Sequence, residues 1–410
     1  HNILGVALKF LNDFTGAEKS FRKAIELDKT MIEAQVNLGT VLEMSYQWDS
    51  ALECYEKALD LNPNSAETLN NRGHLLSSKK QHKAALTDFR RAIEIDPDYA
   101  EAHLNLAFEL LIHGHWIEAW PEFEWRWQTA QMKSFQRSFV APQWDGTQKP
   151  TATLLVHAEQ GLGDTLNFIR YIPMASVCVG RLILECQPPL LPVLREMDGI
   201  HRILARGDPL PSFDLHVPLL SLPGIFETTP KSIPKAVPYI YAPDNSNVLL
   251  PLSERTLKIG MVWAGNPRNP RNPSRTIGLA SLKKILNVPG CVFYSLQHGE
   301  GGDQIINEGL RDNIDDLRPL MKDFGATAAL VNQMDLVISV CTSVAHLSGG
   351  MGVKTWVLLA HDADWRWLLN RSDSPWYPSV RLFRQKKRDC WSEVVDQVFQ
   401  SLKLFAAREN

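Results

Sequence analysis

A period of 34 residues runs through the first third of this chain and constrains its fold more than any other feature. Gly5, Gly39 and Gly73 recur at that interval, as do Ala17, Ala51 and Ala85, then Phe21, Tyr55 and Phe89, then Ala24, Ala58 and Ala92. Pro63 and Pro97 close two of the units. A small–aromatic–small pattern at this period reads as a helix–turn–helix unit, with the glycine on helix A and the alanines and aromatic on helix B. Such a unit cannot bury its apolar face alone, so units stack and leave a groove suited to a peptide. The small residues let the two helices approach, and the aromatic is expected to fill the gap between neighbouring units. A fourth unit is degenerate: Ala107, Ala119 and Phe123 keep phase, but Arg126 stands where alanine is expected. Trp116, Trp120, Trp125 and Trp127 crowd it, as in a capping unit packed on the next domain rather than an aromatic cofactor box. His1 falls inside a repeat, so the natural N-terminus is expected upstream.

A length of 410 residues suits two or three domains. With 43 basic and 46 acidic residues the net charge is −3, which gives no global reason for nucleic-acid or membrane binding. No apolar run approaches the ~18 residues of a membrane span, and the longest, such as 355–360, have strand length. A cytoplasmic location is expected. None of the six cysteines forms a Cys-x-x-Cys pair, so free thiols and no metal site are expected.

The repeats occupy 1–130 and a linker 131–150. Beyond it the periodicity changes. Strands at 153–158 and 181–186 alternate with helical patterns from Thr165 and over 190–197, which argues for a parallel sheet with crossover helices. Twelve of the 25 prolines fall in 188–251, a loop-rich stretch with a short strand at 214–217. The alternation restarts with strands at 257–264, 291–296, 336–340 and 355–359 and helices at 279–286, 327–334 and 343–351. An amphipathic helix over 391–407 closes the chain. The fold class is therefore α + α/β: a helical solenoid, then two doubly wound halves, 151–250 and 251–410. Ligands of such units bind at the carboxyl ends of the strands.

Three segments could carry chemistry. In 157–165, Gly161 and Gly163 follow a strand and open a helix, either to let backbone approach a ligand or merely to turn tightly. Asp164 reads either as an N-cap or as a general base. In 262–267, Trp263, Gly265 and Asn266 form a turn before Arg268, Arg271 and Arg275; guanidinium groups there suit a diphosphate, although a solvated loop fits Arg268 and Arg271. In 337–347, a strand, a hydroxyl-rich turn and a helix start place Thr342 and Ser343 where backbone N–H groups suit phosphate oxygens. His346 lies one turn on, either as a core residue or facing a leaving group.

These segments, with 364–369 and 374–378, resemble the heptosyltransferase-like glycosyltransferases of the GT-B fold. The whole chain resembles bacterial proteins that join tetratricopeptide repeats to such a domain. The resemblance implies a nucleotide-sugar donor, no other cofactor and no metal. Asp164 falls on the family's catalytic base, and Arg275 on a basic residue meeting the donor phosphates. Thr342, Ser343 and His346 fall on the donor-contacting segment, with Gln297 also in pattern. Cys341 departs from it, because the family carries aspartate there and a thiol is a poor acceptor for a sugar hydroxyl. Asn37, Asn71 and Asn105 are also 34 apart and resemble the asparagine ladder that holds an extended peptide in repeat-bearing protein glycosyltransferases, although asparagine is common there in the repeat itself. The implied function is inverting, metal-independent transfer to a protein acceptor such as flagellin or another surface protein. The rivals are a scaffold that has lost catalysis and a transferase acting on a glycan.

Overall fold

The glycine of each full repeat lies under an aromatic ring of its own unit. A Cβ on Gly5 would come within 2.5 Å of the Phe21 ring, on Gly39 within 2.6 Å of Tyr55, and on Gly73 within 2.7 Å of Phe89. The rings therefore fill the space between helices A and B of one unit, not the gap between units expected from sequence. These observations come from a computed structural model that describes residues 1–133, 135–244, 248–250, 257–269 and 272–409. Its eight repeat helices are α1 (Asn2–Phe10), α2 (Phe14–Leu27), α3 (Ile32–Met44), α4 (Trp48–Leu61), α5 (Ala66–Ser78), α6 (His82–Ile95), α7 (Ala100–Ile112) and α8 (Trp116–Glu124).

The turns repeat as faithfully as the helices. Between helices A and B the chain takes a positive φ at Asn12, Tyr46, Lys80 and Gly114, again 34 apart. After helix B, the side chains of Asp28, Asn62 and Asp96 each accept the N–H two residues on, which stops the helix. In the fourth unit Arg126 is buried and donates to the Phe123 carbonyl and to Glu124.

The chain divides into two compact units, His1–Gln136 and Arg137–Asn410. The expected linker over 131–150 needs correction. From Arg137 onward it packs on the second unit: Trp144 is buried and its N–H reaches the His216 carbonyl at 2.8 Å, Arg137 pairs with the buried Glu185, and the Phe139 ring lies against His157 and His216.

The second unit holds two parallel sheets. Strands β1 (Lys149–His157), β2 (Val179–Cys186), β3 (Arg202–Ala205) and β4 (Leu215–Pro218) form one, in the order β3-β2-β1-β4. Strands β5 (Leu257–Val262), β6 (Cys291–Ser295), β7 (Asp315–Asp316), β8 (Leu336–Val340), β9 (Thr355–Leu359) and β10 (Val380–Arg384) form the other, in the order β10-β9-β8-β5-β6-β7. All pairings between these strands are parallel, and β8 and β9 are buried on both faces, hence sequences that are apolar but for Ser339 and Thr355. Helix α9 (Leu162–Phe168) follows β1, α10 (Phe324–Val331) precedes β8, α11 (Ser343–Gly350) follows it, and α12 (Ser392–Glu409) closes the chain. The helices expected at 279–286 and 190–197 are shorter: a 3₁₀ turn at Leu279–Leu282, and a 3₁₀ turn with one α-helical turn at Pro188–Leu190 and Leu191–Leu194.

Candidate functional site

The loop after β1 and the loop after β8 meet. A Cβ on Gly163 would lie 3.0 Å from the His346 ring and 3.5 Å from the Ser343 Cα. A side chain there would press on the His346 ring, so glycine favours the close approach of the start of α9 to the start of α11. This contact brings Asp164, from the first sheet's half, to the carboxyl end of β8.

Asp164 is not the N-cap of α9. Gly161 holds that position, and Asp164, three residues on, reaches back so that its Oδ2 accepts the Gly161 N–H at 3.0 Å. Its Oδ1 accepts from Arg366 Nη2 at 2.6 Å. Arg366 is buried, also donates to both Asp364 oxygens at 3.0 and 3.2 Å, and lies over the Phe168 and Trp365 rings. Burial pushes the Asp164 pKa up, and the Arg366 charge opposes that rise. Burial works against the Arg366 charge, but Asp364 and Asp164 outweigh it and hold its pKa above the usual value. Glu159, the next carboxylate upstream, is buried and accepts the Leu220 N–H.

His346 is buried and stacks on Trp367, with ring centroids 5.4 Å apart. Asn167 Nδ2 donates to the Tyr377 hydroxyl at 2.8 Å, and that hydroxyl lies 2.9 Å from His346 Nδ1. The Tyr377 hydroxyl also hydrogen-bonds Tyr239, so which of the two atoms donates between Tyr377 and Nδ1 depends on the His346 tautomer. Burial, and then the Arg366 charge, push the His346 pKa down to about 3. Of the two sequence readings of His346, the structure shows the satisfied buried histidine, and it borders the glycine loop.

Arg275 packs under Gly265, where a Cβ would come within 2.8 Å of its guanidinium. Its Nη1 donates to the Cys341 carbonyl at 3.2 Å. Its Nε is buried and has no hydrogen-bond partner among the described residues. Thr342 Oγ1 is 3.0 Å from Ser339 Oγ, and Ser343, half-buried, is the first residue of α11. Cys341 Sγ accepts from the Trp367 indole, and burial lifts its pKa to about 11, so the thiol is neutral.

Two expected donor contacts need correction. Trp263 is fully buried in the core of the second sheet, and its indole N–H donates to the Gly301 carbonyl. Gln297 is equally buried and spends its whole amide on backbone: Oε1 accepts from the Trp263 and Ala264 N–H groups, and Nε2 donates to the Ala264 and His298 carbonyls. It is a clip on the turn after β5, with no polar atom left for a ligand. Asn266 is exposed and caps the Arg268 N–H. Arg271 lies outside the described residues.

Arg366 is not among the residues expected from sequence, although the sequence holds a sign of it: an arginine between two tryptophans must find hydrogen-bond acceptors if it is buried. Arg170 is a second case. Buried in α9's continuation, it donates to the carbonyls of Asn167, Pro234 and Trp376 and to the Tyr239 hydroxyl, tying the first sheet's half to the segment after β9.

In the repeats, Asn37, Asn71 and Asn105 are half-buried on successive A helices. Asn37 bonds to Asn2 and Lys9, and Asn105 donates to Asn70 at 2.9 Å. A separate cleft between the B helices α2 and α4 is lined by Arg22, Gln35, Glu53 and Lys57. No helix among the described residues is long and apolar enough to cross a membrane. All six cysteines are free.

Comparison with known proteins matches three tetratricopeptide repeat models to residues 1–31, 30–98 and 89–120. The chain is similar to Protein FlbA of Caulobacter vibrioides, 25% identical over 325 residues, 73% of this chain and 54% of that protein. It therefore spans about half the length of that relative. Among solved structures, MamA of Desulfovibrio magneticus matches 33% of this chain and 74% of its own at 22% identity and a TM-score of 0.27. An O-GlcNAc transferase of Thermobaculum terrenum matches 99% and 91% at 12% identity and a TM-score of 0.35. Scores this low carry no argument. The repeat models do identify the first third: residues 1–120 are tetratricopeptide repeats.

Proposed function

We propose that the second unit is a heptosyltransferase-like glycosyltransferase that moves a sugar from a nucleotide-sugar donor, by inversion and without a metal, to a protein acceptor held by the repeats. One observation carries the reading. Asp164, the start of α11 and the unsatisfied edge of Arg275 converge at the carboxyl ends of β1, β5 and β8. A carboxylate whose proton affinity is raised by burial suits a general base that takes the acceptor hydroxyl's proton. The hydroxyl oxygen then attacks the anomeric carbon, and the bond to the donor's phosphate oxygen breaks. The N–H groups opening α11 and the Arg275 guanidinium stabilise the negative charge that develops on the departing nucleotide. Arg366 positions Asp164 through its second pair with Asp364.

A second reading is favoured by Cys341 and by the tight Gly163–His346 contact: a binding scaffold without turnover. Incubation with ADP-, UDP-, GDP- and CMP-sugars, followed by detection of free nucleotide and mass spectrometry of co-expressed proteins, separates the two. The transferase releases nucleotide from one donor and adds that sugar's mass to a protein. Absence of both nucleotide release and nucleotide binding across the panel overturns the proposal in favour of the scaffold.

A further inference from the structure

The third and fourth repeats differ from the others at one set of equivalent positions. Phe14, Val41 and Ser45 occupy it between the first two units, and Trp48, Leu75 and Lys79 occupy it one unit on. A further 34 residues along, the same places hold His82, Glu109 and His113. Val41 and Leu75 are fully buried, and Glu109 takes their place with 3% exposure. A carboxylate in a position built for an aliphatic side chain is costly unless its oxygens are well occupied. Here both oxygens are engaged by neighbours on other turns. Ser77 Oγ donates to Oε2 at 2.5 Å, His82 Nδ1 lies 2.6 Å from Oε1, and His113 Nε2 lies 3.3 Å from that same Oε1. The two imidazoles stand nearly perpendicular, with centroids 4.6 Å apart, and the three ligand atoms lie within 4.8 Å of one another.

We propose that His82, Glu109 and His113 form a binding site for a divalent transition cation of the zinc type. Two imidazole nitrogens and one carboxylate oxygen are the mixed N/O set that such ions favour over magnesium or calcium, with a fourth position left for water. Tetrahedral bonds of roughly 2.0–2.1 Å need donors roughly 3.3 Å apart, so the His113–Glu109 spacing already fits and His82 has to withdraw by a fraction of an ångström. Ser77 orients the carboxylate from outside the ligand set. The site joins the start of α6 to the end of α7, so the ion staples the third repeat to the fourth. In an array whose stability is carried by neighbour-to-neighbour interfaces, that staple stiffens the C-terminal part of the solenoid. The sequence expectation of no metal rests on cysteine spacing and on the family resemblance, and neither weighs histidine and glutamate in repeat phase.

The test uses the whole chain, stripped with a chelator and titrated with Co²⁺ as the spectroscopic probe and with Zn²⁺ by calorimetry. The site predicts one equivalent of tightly bound ion, the intense visible bands of four-coordinate cobalt, their loss on adding zinc, and a higher melting temperature with zinc. His113→Ala, at a partly exposed helix end where folding is unaffected by far-UV circular dichroism, weakens binding at least tenfold. His74→Ala, which removes the histidine of the comparable His74–Glu43 pair, leaves binding unchanged. Lack of binding at equimolar micromolar zinc, binding indifferent to His113→Ala, or equal competition by magnesium overturns the proposal.

Discussion

The repeats and the two-sheet unit solve packing over different distances along the chain, and that difference decides what each reveals of itself. Gly39 meets Tyr55, 16 residues on, and the same contact recurs in the units before and after it. Asp164 meets Arg366 across 202 residues, once. Local, repeated contacts show as sequence periodicity and leave each unit dependent mainly on its neighbours. A single long-range ion pair leaves no period, yet it fixes the geometry on which the site depends.

The largest test of this contrast is Arg366→Met. It strands two carboxylates around one buried position, and roughly 3 kcal/mol of stability is expected to go. Amide hydrogen exchange should show the loss in the second unit, with the repeats unchanged. Adding Asp164→Asn should recover a good part of it; no recovery would mean that the pair is not what holds the two loops together.

Acid sharpens the comparison next. His346 has a pKa of about 3 when folded and ~6.5 when unfolded, so between those values the unfolded chain binds a proton that the folded chain does not. That part of the stability is intact at pH 7 and is lost as pH falls, reaching about 2 kcal/mol at pH 5. Asp164, with its pKa raised, works in the opposite sense at the acid end. The difference in denaturant midpoint between pH 7 and pH 5, wild type against His346→Gln, isolates the histidine, and equal differences in the two proteins would refute its buried neutral state.

The smallest effect lies in the repeats. Helix propensity alone makes Gly39→Ala stabilising by ~1 kcal/mol. The Cβ would sit 2.6 Å from the Tyr55 ring, which is buried and hydrogen-bonded to Glu43, and overpacking of this kind costs about 1–3 kcal/mol. A net loss of about 1 kcal/mol is expected in the melting or denaturant midpoint of the repeats; a net gain would show that the ring moves freely.

The same contrast explains what could be read beforehand. The helix pairs, the parallel strands and the strand–loop–helix segments around Asp164 and Ser343 were legible because each is local and patterned. Trp263 and Gln297 were misjudged because a turn next to a ligand cleft and a turn clipped by a buried amide look alike in sequence. Arg366 is not legible because Asp164 lies 202 residues away and the neighbouring Asp364 alone marks no site. The His82–Glu109–His113 set escaped because only comparison across units shows that Glu109 replaces a buried leucine or valine.

The central claim divides labour at the junction: Arg275 and the start of α11 bind the donor, and Asp164 moves the proton. Calorimetric titration of the accepted nucleotide sugar into wild type, Arg275→Met and Asp164→Asn, with turnover measured on the same samples, tests it most directly. The account predicts that Arg275→Met weakens binding at least tenfold, while Asp164→Asn binds as wild type and turns over at a small fraction of its rate. Full turnover in Asp164→Asn, or donor binding untouched by Arg275→Met, would contradict it.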